Sequence, residues 1–245
     1  MPVDKSEARV RRMFGDIAAR YDLLNHLLSL NLDKYWRWRT VRDVPPRGGE
    51  PVLDLCTGTG DLALAYARAT DGQTPVVAAD FCHPMLVVGR AKSARAGING
   101  AVRFVEADAQ HLPLPDDYFQ IVSVAFGLRN VTDTDRGLAE MVRVCRPGGR
   151  VAVLEFSKPG GPLKAMYQWY FKFVLPWIGQ RISGSADDAY HYLPQSVGEF
   201  PCGQALADRM TAAGLADVWR RPMTLGVATL YVGTKPVGSA PGGER

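Results

Sequence analysis

Residues 51–61 read Pro-Val-Leu-Asp-Leu-Cys-Thr-Gly-Thr-Gly-Asp: an apolar run carrying Asp54, then Gly58-Thr59-Gly60, then an alanine- and leucine-rich stretch. A strand that breaks on glycines and restarts as a helix brings backbone N–H groups close to a ligand. Glycine makes this feasible because it has no Cβ to block the approach or to forbid positive φ. Gly58-x-Gly60-x-x-Ala63 also satisfies the general dinucleotide fingerprint, so the turn alone admits more than one nucleotide-like ligand. Asp80 and Asp108 close the next two apolar runs, and Arg129-Asn130 follow the fourth.

Gly58, Gly60, Asp80 and Asp108, each at the carboxyl end of successive predicted strands, define a chemistry together. A carboxylate at Asp80 can accept both ribose hydroxyls of an adenosine, a role common to NAD and S-adenosylmethionine sites. Asp108 can accept from an adenine amino group while the Ala109 N–H donates to a ring nitrogen. Each acid has a plainer role open to it, as a helix cap or a turn former. Asp54 either opposes the charge of a cationic cofactor at short range or accepts hydrogen bonds from the loop. Arg129 either faces the substrate cleft or pairs with Asp133 or Asp135. Arg146-Pro147-Gly148-Gly149 reads as a helix stop and carries no chemistry.

These residues need a scaffold. Strands are predicted at 51–55, 75–80, 102–106, 119–125 and 150–155, with helices at 61–69, 84–96 and 133–145. Near-continuous apolar strands separated by helices imply a parallel sheet covered on both faces. Residues 216–223 and 228–235 flank a turn at Leu225-Gly226, which predicts a terminal antiparallel hairpin. The expected fold is thus α/β, a Rossmann-like class I S-adenosylmethionine-dependent methyltransferase with a mostly parallel seven-stranded sheet. Residues 1–48 are expected to form a helical cap. Residues 49–235 form the main domain, with a helical, aromatic-rich insertion at 159–197, and 236–245 a disordered tail.

Composition narrows the classes further. The net charge of +4 is too small to imply nucleic acid by itself. Cys56, Cys82, Cys145 and Cys202 and the four histidines are scattered, so neither a disulfide framework nor a metal site is indicated, and a cytoplasmic location is expected. No signal peptide or membrane-spanning run is visible. An RNA methyltransferase would want a basic groove lined with exposed stacking aromatics. A nicotinamide oxidoreductase would want a Tyr-x-x-x-Lys or similar pair. Neither is present. A methyltransferase for another small molecule and a non-catalytic binding protein of the same fold remain open on these residues.

Several segments resemble the demethylmenaquinone/ubiquinone C-methyltransferase family of quinone biosynthesis. They are residues 14–37 (FGDIAARYDLLNHLLSLNLDKYWR), 52–61 (VLDLCTGTGD), 125–133 (AFGLRNVTD), 146–159 (RPGGRVAVLEFSKP) and 190–201 (YHYLPQSVGEFP). Together they run through nearly the whole chain in the family's order. The resemblance implies ring C-methylation of a reduced, polyprenylated quinol, with S-adenosylmethionine as donor and S-adenosylhomocysteine as product. It does not separate naphthoquinol from benzoquinol. Its cofactor contacts carry onto Thr59, Asp80, Asp108 and Ala109, beside the glycine turn of Gly58 and Gly60 and its Asp54. Arg129, Asn130 and Tyr21 become the candidate catalytic residues, with the base among them left open. Ala125 departs from the family's frequent serine, and Asp108 replaces a frequent asparagine. The implied partner is the quinol, and the aromatic stretch Met166–Trp177 would cover the active site and line a channel for the prenyl tail, touch the inner face of the cytoplasmic membrane, pack as a helical lid or make a homodimer contact; no nucleic acid partner is expected.

Overall fold

The computed structural model describes residues 4–98, 100–160 and 187–237. The apolar runs form strands β1 (Val52–Leu55), β2 (Val76–Asp80), β3 (Val102–Glu106), β4 (Phe119–Ala125), β5 (Cys145–Phe156), β6 (Ala216–Met223) and β7 (Ala228–Thr234). They make one seven-stranded sheet in the order β3-β2-β1-β4-β5-β7-β6. Pairing is parallel from β3 through β5, and β7 runs antiparallel to both β5 and β6. The predicted hairpin is therefore real, and it folds so that its second strand inserts between β5 and its first.

Helices α1 (Glu7–Ile17), α2 (Tyr21–Leu28), α3 (Leu32–Asp43), α4 (Asp61–Arg68), α5 (His83–Arg95), α6 (Thr134–Val144), α7 (Asp187–Glu199) and α8 (Gln204–Ala212) complete the described residues. All four residues of β1 are buried, as expected of a strand covered on both faces. On one face Leu53, Leu55 and Val122 pack with Leu138 and Met141 of α6 and Leu206 and Met210 of α8. On the other, Val52 and Ile121 pack with Trp36 and Val41 of α3 and Leu62, Leu64 and Tyr66 of α4. The result is a three-layer α/β/α stack.

Three boundaries differ from expectation. Residues 7–43 are three helices, broken by a 3₁₀ turn at Ala18–Arg20 and by left-handed Leu30 and Asn31. The fifth strand starts at Cys145 because Cys145 pairs with Phe119 before the register jumps to Ile121↔Arg150. Residues 146–149 thereby loop out as a bulge, which is the Pro-Gly-Gly break placed inside a strand. Helix α8 lies in a segment for which no helix was predicted. Met166–Trp177 and residues 238–245 lie outside the described residues.

The sheet leaves its ligand side at the carboxyl ends of β1, β2 and β4, and α1 and α2 close over it. Their contact is a small apolar cluster of Ala18, Phe14 and Tyr21 against Phe81, Cys82, Met85 and Val88.

Candidate active site

A cleft of about 700 Å³ opens at those strand ends, between the sheet and the α1–α2 cap. Its lining includes Tyr21, Cys56, Gly58, Asp80, Asp108, Ala109 and Asn130. Position in the fold explains this convergence: open α/β sheets bind ligands outside the carboxyl ends of their strands, where the order reverses. Here the order reverses between β1 and β4.

The chain leaves both central strands sharply. Cys56 after β1 and Phe126 after β4 take φ of 49° and 58°, left-handed conformations that cost a side-chain-bearing residue on the order of 1 kcal/mol each. Gly127 crosses Cys56 so closely that a Cβ on it would lie 2.3 Å from the Cys56 Cβ. Gly60 has φ +83°, and a Cβ there would meet the Phe104 ring at 2.9 Å. It is the N-cap of α4, in a conformation that glycine adopts without strain.

Asp80 terminates β2 with both oxygens engaged: the Gly58 N–H donates to Oδ2 and the Cys82 N–H to Oδ1, each at 2.8 Å. Burial pushes its carboxyl up to about 6, although the Cys82, Gly58 and Phe81 N–H groups pull the other way. Each oxygen retains a lone pair for a further donor. Asp108 is more exposed. Burial raises its pKa, but the Gln110 N–H at 2.9 Å and His111 at 3.1 Å outweigh that and hold it below the usual value. Phe81 and Met85 supply apolar wall to the same cleft.

Asp54 is fully buried under the turn and does not line the cleft. It accepts from the Thr57 hydroxyl at 2.6 Å and the Ser123 hydroxyl at 3.0 Å. Desolvation raises it to about 6 despite those bonds. Its hydroxyl partners show that it braces the turn from below.

Thr59 also points away from the cleft. Its hydroxyl donates to Asp22 Oδ1 at 2.5 Å. Lys92 joins the same network, bonded to Asp22 at 2.6 Å, to Asp61 at 2.5 Å and to Thr59 at 3.1 Å. The network ties the cap helix α2 to the glycine turn and to α5. Nothing in the local sequence announces it, because Asp22, Thr59 and Lys92 are brought together only by the fold.

Arg129 does not face the cleft. Its guanidinium is buried against Glu155 of β5, with Nη1 3.1 Å from Oε2, and it also donates to the Phe126 carbonyl. It stacks over the Phe156 ring at 5.3 Å. Asp133 instead caps α6, and Asp135 pairs with Arg209. Glu155 was not among the expected site residues. A buried arginine needs a carboxylate on a neighbouring strand, and no spacing rule says which one.

Asn130 lies on the cleft wall, and its side-chain oxygen is buried without a hydrogen-bond partner among the described residues. A buried acceptor left unpaired costs about 1–3 kcal/mol, which a ligand donor can recover. Tyr21 caps the cleft, its ring at 6.0 Å and edge-on to Phe14, and burial raises its phenol above the ordinary value. Lys5 is the single cation on the lining among the described residues. Its segment is pinned there by the Thr132 hydroxyl, which donates to the Lys5 carbonyl at 2.9 Å. Burial lowers its pKa, with Glu199 and Glu155 opposing.

The cleft fits S-adenosylmethionine by the chemistry of its donors and acceptors. It offers a pinned carboxylate at a strand end, a second acid followed by the Ala109 backbone on the cleft lining, and a glycine turn that brings backbone close. Fold and site together define a class I S-adenosylmethionine-dependent methyltransferase. Solved structures agree at the level of fold. A methyltransferase of Aquifex aeolicus superposes with TM-score 0.59 at 17% identity, covering 81% of this chain and 89% of its own. A phosphoethanolamine N-methyltransferase of Haemonchus contortus in complex with S-adenosyl-L-methionine gives 0.62 at 14%, covering 82% and 52%.

The chain belongs to the ubiE/COQ5 methyltransferase family, which it matches over residues 3–235. It is 48% identical over 225 residues to the demethylmenaquinone methyltransferase of Thermus thermophilus, covering 91% of this chain and 100% of that one. It is 45% identical over 228 residues to the ubiquinone/menaquinone biosynthesis C-methyltransferase of Geobacter sulfurreducens, covering 93% and 88%. It is accordingly a methyltransferase of quinone biosynthesis.

Proposed function

We propose that this chain methylates a ring carbon of a polyprenylated quinol, converting demethylmenaquinol to menaquinol. The observation that carries this reading is the unpaired Asn130 oxygen on a cleft wall that also holds Tyr21 and Lys5, in a chain so similar to a demethylmenaquinone methyltransferase. A quinol ring has the hydroxyls that such a set would engage.

Asp80 would hold the ribose hydroxyls of the cofactor, Asp108 and Ala109 its adenine, and the Gly58–Gly60 backbone its amino-acid portion, with Thr59 and Asp54 fixing that turn. When bound, S-adenosylmethionine supplies an electrophilic methyl group. The chain's own task is to orient the ring, exclude water and stabilise charge on the ring oxygen. Asn130 accepts a hydrogen bond from the quinol hydroxyl. Tyr21, a phenol that is protonated at neutral pH, donates to the oxygen. Lys5 places a positive charge on the same side of the cleft as Asn130. Arg129 acts from behind the wall, where its pairing with Glu155 fixes the 126–130 turn that presents Asn130. The long tail of the substrate calls for contact with the cytoplasmic membrane, so the protein works at its inner face. No helix among the described residues is long and apolar enough to cross a membrane.

Transfer of a labelled methyl group to short-chain demethylmenaquinol tests the activity directly. Quinones from cells lacking the protein should accumulate a precursor lighter by one CH₂. An unchanged quinone profile, with no turnover in vitro, would reject the reading.

A further inference from the structure

Half of the large apolar side chains left exposed among the described residues lie in one short stretch, α2 and α3. Leu23 (62% exposed) and Leu27 stand one turn apart on α2, and Leu30 (74%) follows in the linking turn. On α3, Tyr35 and Trp38 (51%) face outward, their ring centroids 6.0 Å apart. The helix already has an inner face, made by Asp33, Trp36, Thr40 and Val41. The outer rings are therefore surplus to the core.

Beside them lies a second cleft, of about 1460 Å³, that shares no lining residue with the first. Lys34, Trp38, Arg42 and Arg68 form its walls, with His26 and Arg37. Arg37 is neutralised by Asp33 and Asp61. Lys34, Arg42 and Arg68 are exposed and make no ion pair among the described residues, while Arg42 stacks on Trp38 at 5.3 Å. An aliphatic stripe, two amphipathic aromatics and unpaired cations side by side match the interface of a bilayer with anionic lipid. A second copy of the chain fits poorly, since a two-fold contact through this face would set those cations against themselves.

We propose that the α2–α3 face docks on an anionic phospholipid surface. Leu23, Leu27 and Leu30 enter the acyl boundary, Tyr35 and Trp38 lie at headgroup level, and lipid phosphates enter the cleft of Lys34, Arg42 and Arg68. Helix α2 begins with Tyr21 at the reaction cleft, so docking brings that cleft to the lipid. The link to substrate delivery rests on the quinol reading above, whereas the docking itself does not.

The test is sedimentation of the full chain with vesicles of phosphatidylcholine alone and of phosphatidylcholine with phosphatidylglycerol. Binding is expected to the second only, and to weaken with salt. Leu23→Ser/Leu27→Ser and Lys34→Glu/Arg42→Glu should each reduce it about tenfold or more. Circular dichroism and S-adenosylmethionine affinity should stay unchanged, which checks folding. Equal sedimentation of variants and wild type, or none with phosphatidylglycerol, overturns the proposal. So does a wild-type dimer that the same substitutions dissolve. Activity keeps the two readings apart: failure to methylate short-chain demethylmenaquinol counts against the quinol assignment alone.

Discussion

The Gly58 backbone N–H donates to Asp80 Oδ2 at 2.8 Å, so the turn after β1 and the end of β2 are one unit. That bond holds the carboxylate at the cleft while burial drives its pKa to about 6. Ribose hydroxyls donating to Asp80 favour the ionised form, so cofactor binding expels a proton wherever the free protein holds one. Affinity for S-adenosylmethionine should therefore be constant above about pH 7 and fall as pH drops through 6. Calorimetry in buffers of different ionisation enthalpy reads the released proton. Asp80→Asn should weaken binding about 10- to 100-fold, the worth of hydrogen bonds to a charged acceptor, and abolish the pH dependence. Retention of that dependence in Asp80→Asn would place the titrating group elsewhere.

Asp54 titrates in the same range without touching the cleft, and its signature is stability. Its pKa is raised from 3.8 unfolded to about 6 folded. The folded state thus binds the proton more tightly, and this group's contribution to stability grows as pH falls from 6 towards 3.8. At neutral pH the buried charge costs on the order of 3 kcal/mol, taking about 1.4 kcal/mol per pKa unit. Asp54→Asn keeps the shape and can still bond Thr57 and Ser123. It should raise the melting temperature by several degrees at about pH 7.5 and by much less at about pH 5. A fall in melting temperature at both pH values would show that the carboxylate's two hydroxyl bonds matter more than its desolvation.

The strands, the glycine turn and the acids at strand ends were legible because each is local: periodicity and a glycine break need only neighbours in sequence. What stayed hidden is pairwise and distant. Thr59 reads as a cofactor contact until Asp22 and Lys92 are folded against it, and Arg129 reads as a cleft residue until Glu155 of β5 claims its guanidinium. Lys5 lies forty-nine residues before Asp54 in a charged stretch with no motif, and the Thr132 bond that holds its segment at the cleft spans 127 residues of sequence. The α2–α3 face was hidden for the same reason: which leucines remained outside depended on how α2 packs, and which cations stayed unpaired depended on where Asp33 and Asp61 fall.

Gly127 offers a test of how the loops over the cleft cross. An alanine Cβ there would overlap the Cys56 Cβ at 2.3 Å, and both chains are anchored by strands. Gly127→Ala should destabilise by more than about 2 kcal/mol through overpacking, with loss of cofactor binding as the Cys56–Gly58 backbone shifts. Thermal melts and titration with S-adenosylhomocysteine check it. Cys56→Gly in the same chain removes the opposing Cβ and should recover part of the stability. An alanine variant as stable as wild type would show that the crossing is looser than its geometry implies.

Arg129 and Lys5 make opposite predictions because one charge is buried and paired while the other lines the cleft. Arg129→Gln leaves Glu155 uncompensated and should cost about 3–5 kcal/mol. Arg129→Gln/Glu155→Gln removes both charges and should regain most of that stability. If Arg129 only holds the Asn130 turn, kcat returns with the fold in the double variant, measured with short-chain demethylmenaquinol. Lys5→Met should leave the melting temperature and cofactor affinity near wild type but lower kcat about 100-fold, with Lys5→Arg recovering most of it. Asn130→Ala should lower kcat/KM by about 10- to 100-fold without weakening the cofactor. A double variant that is folded yet dead, beside an active Lys5→Met, would move the charge that stabilises the ring oxygen back to Arg129.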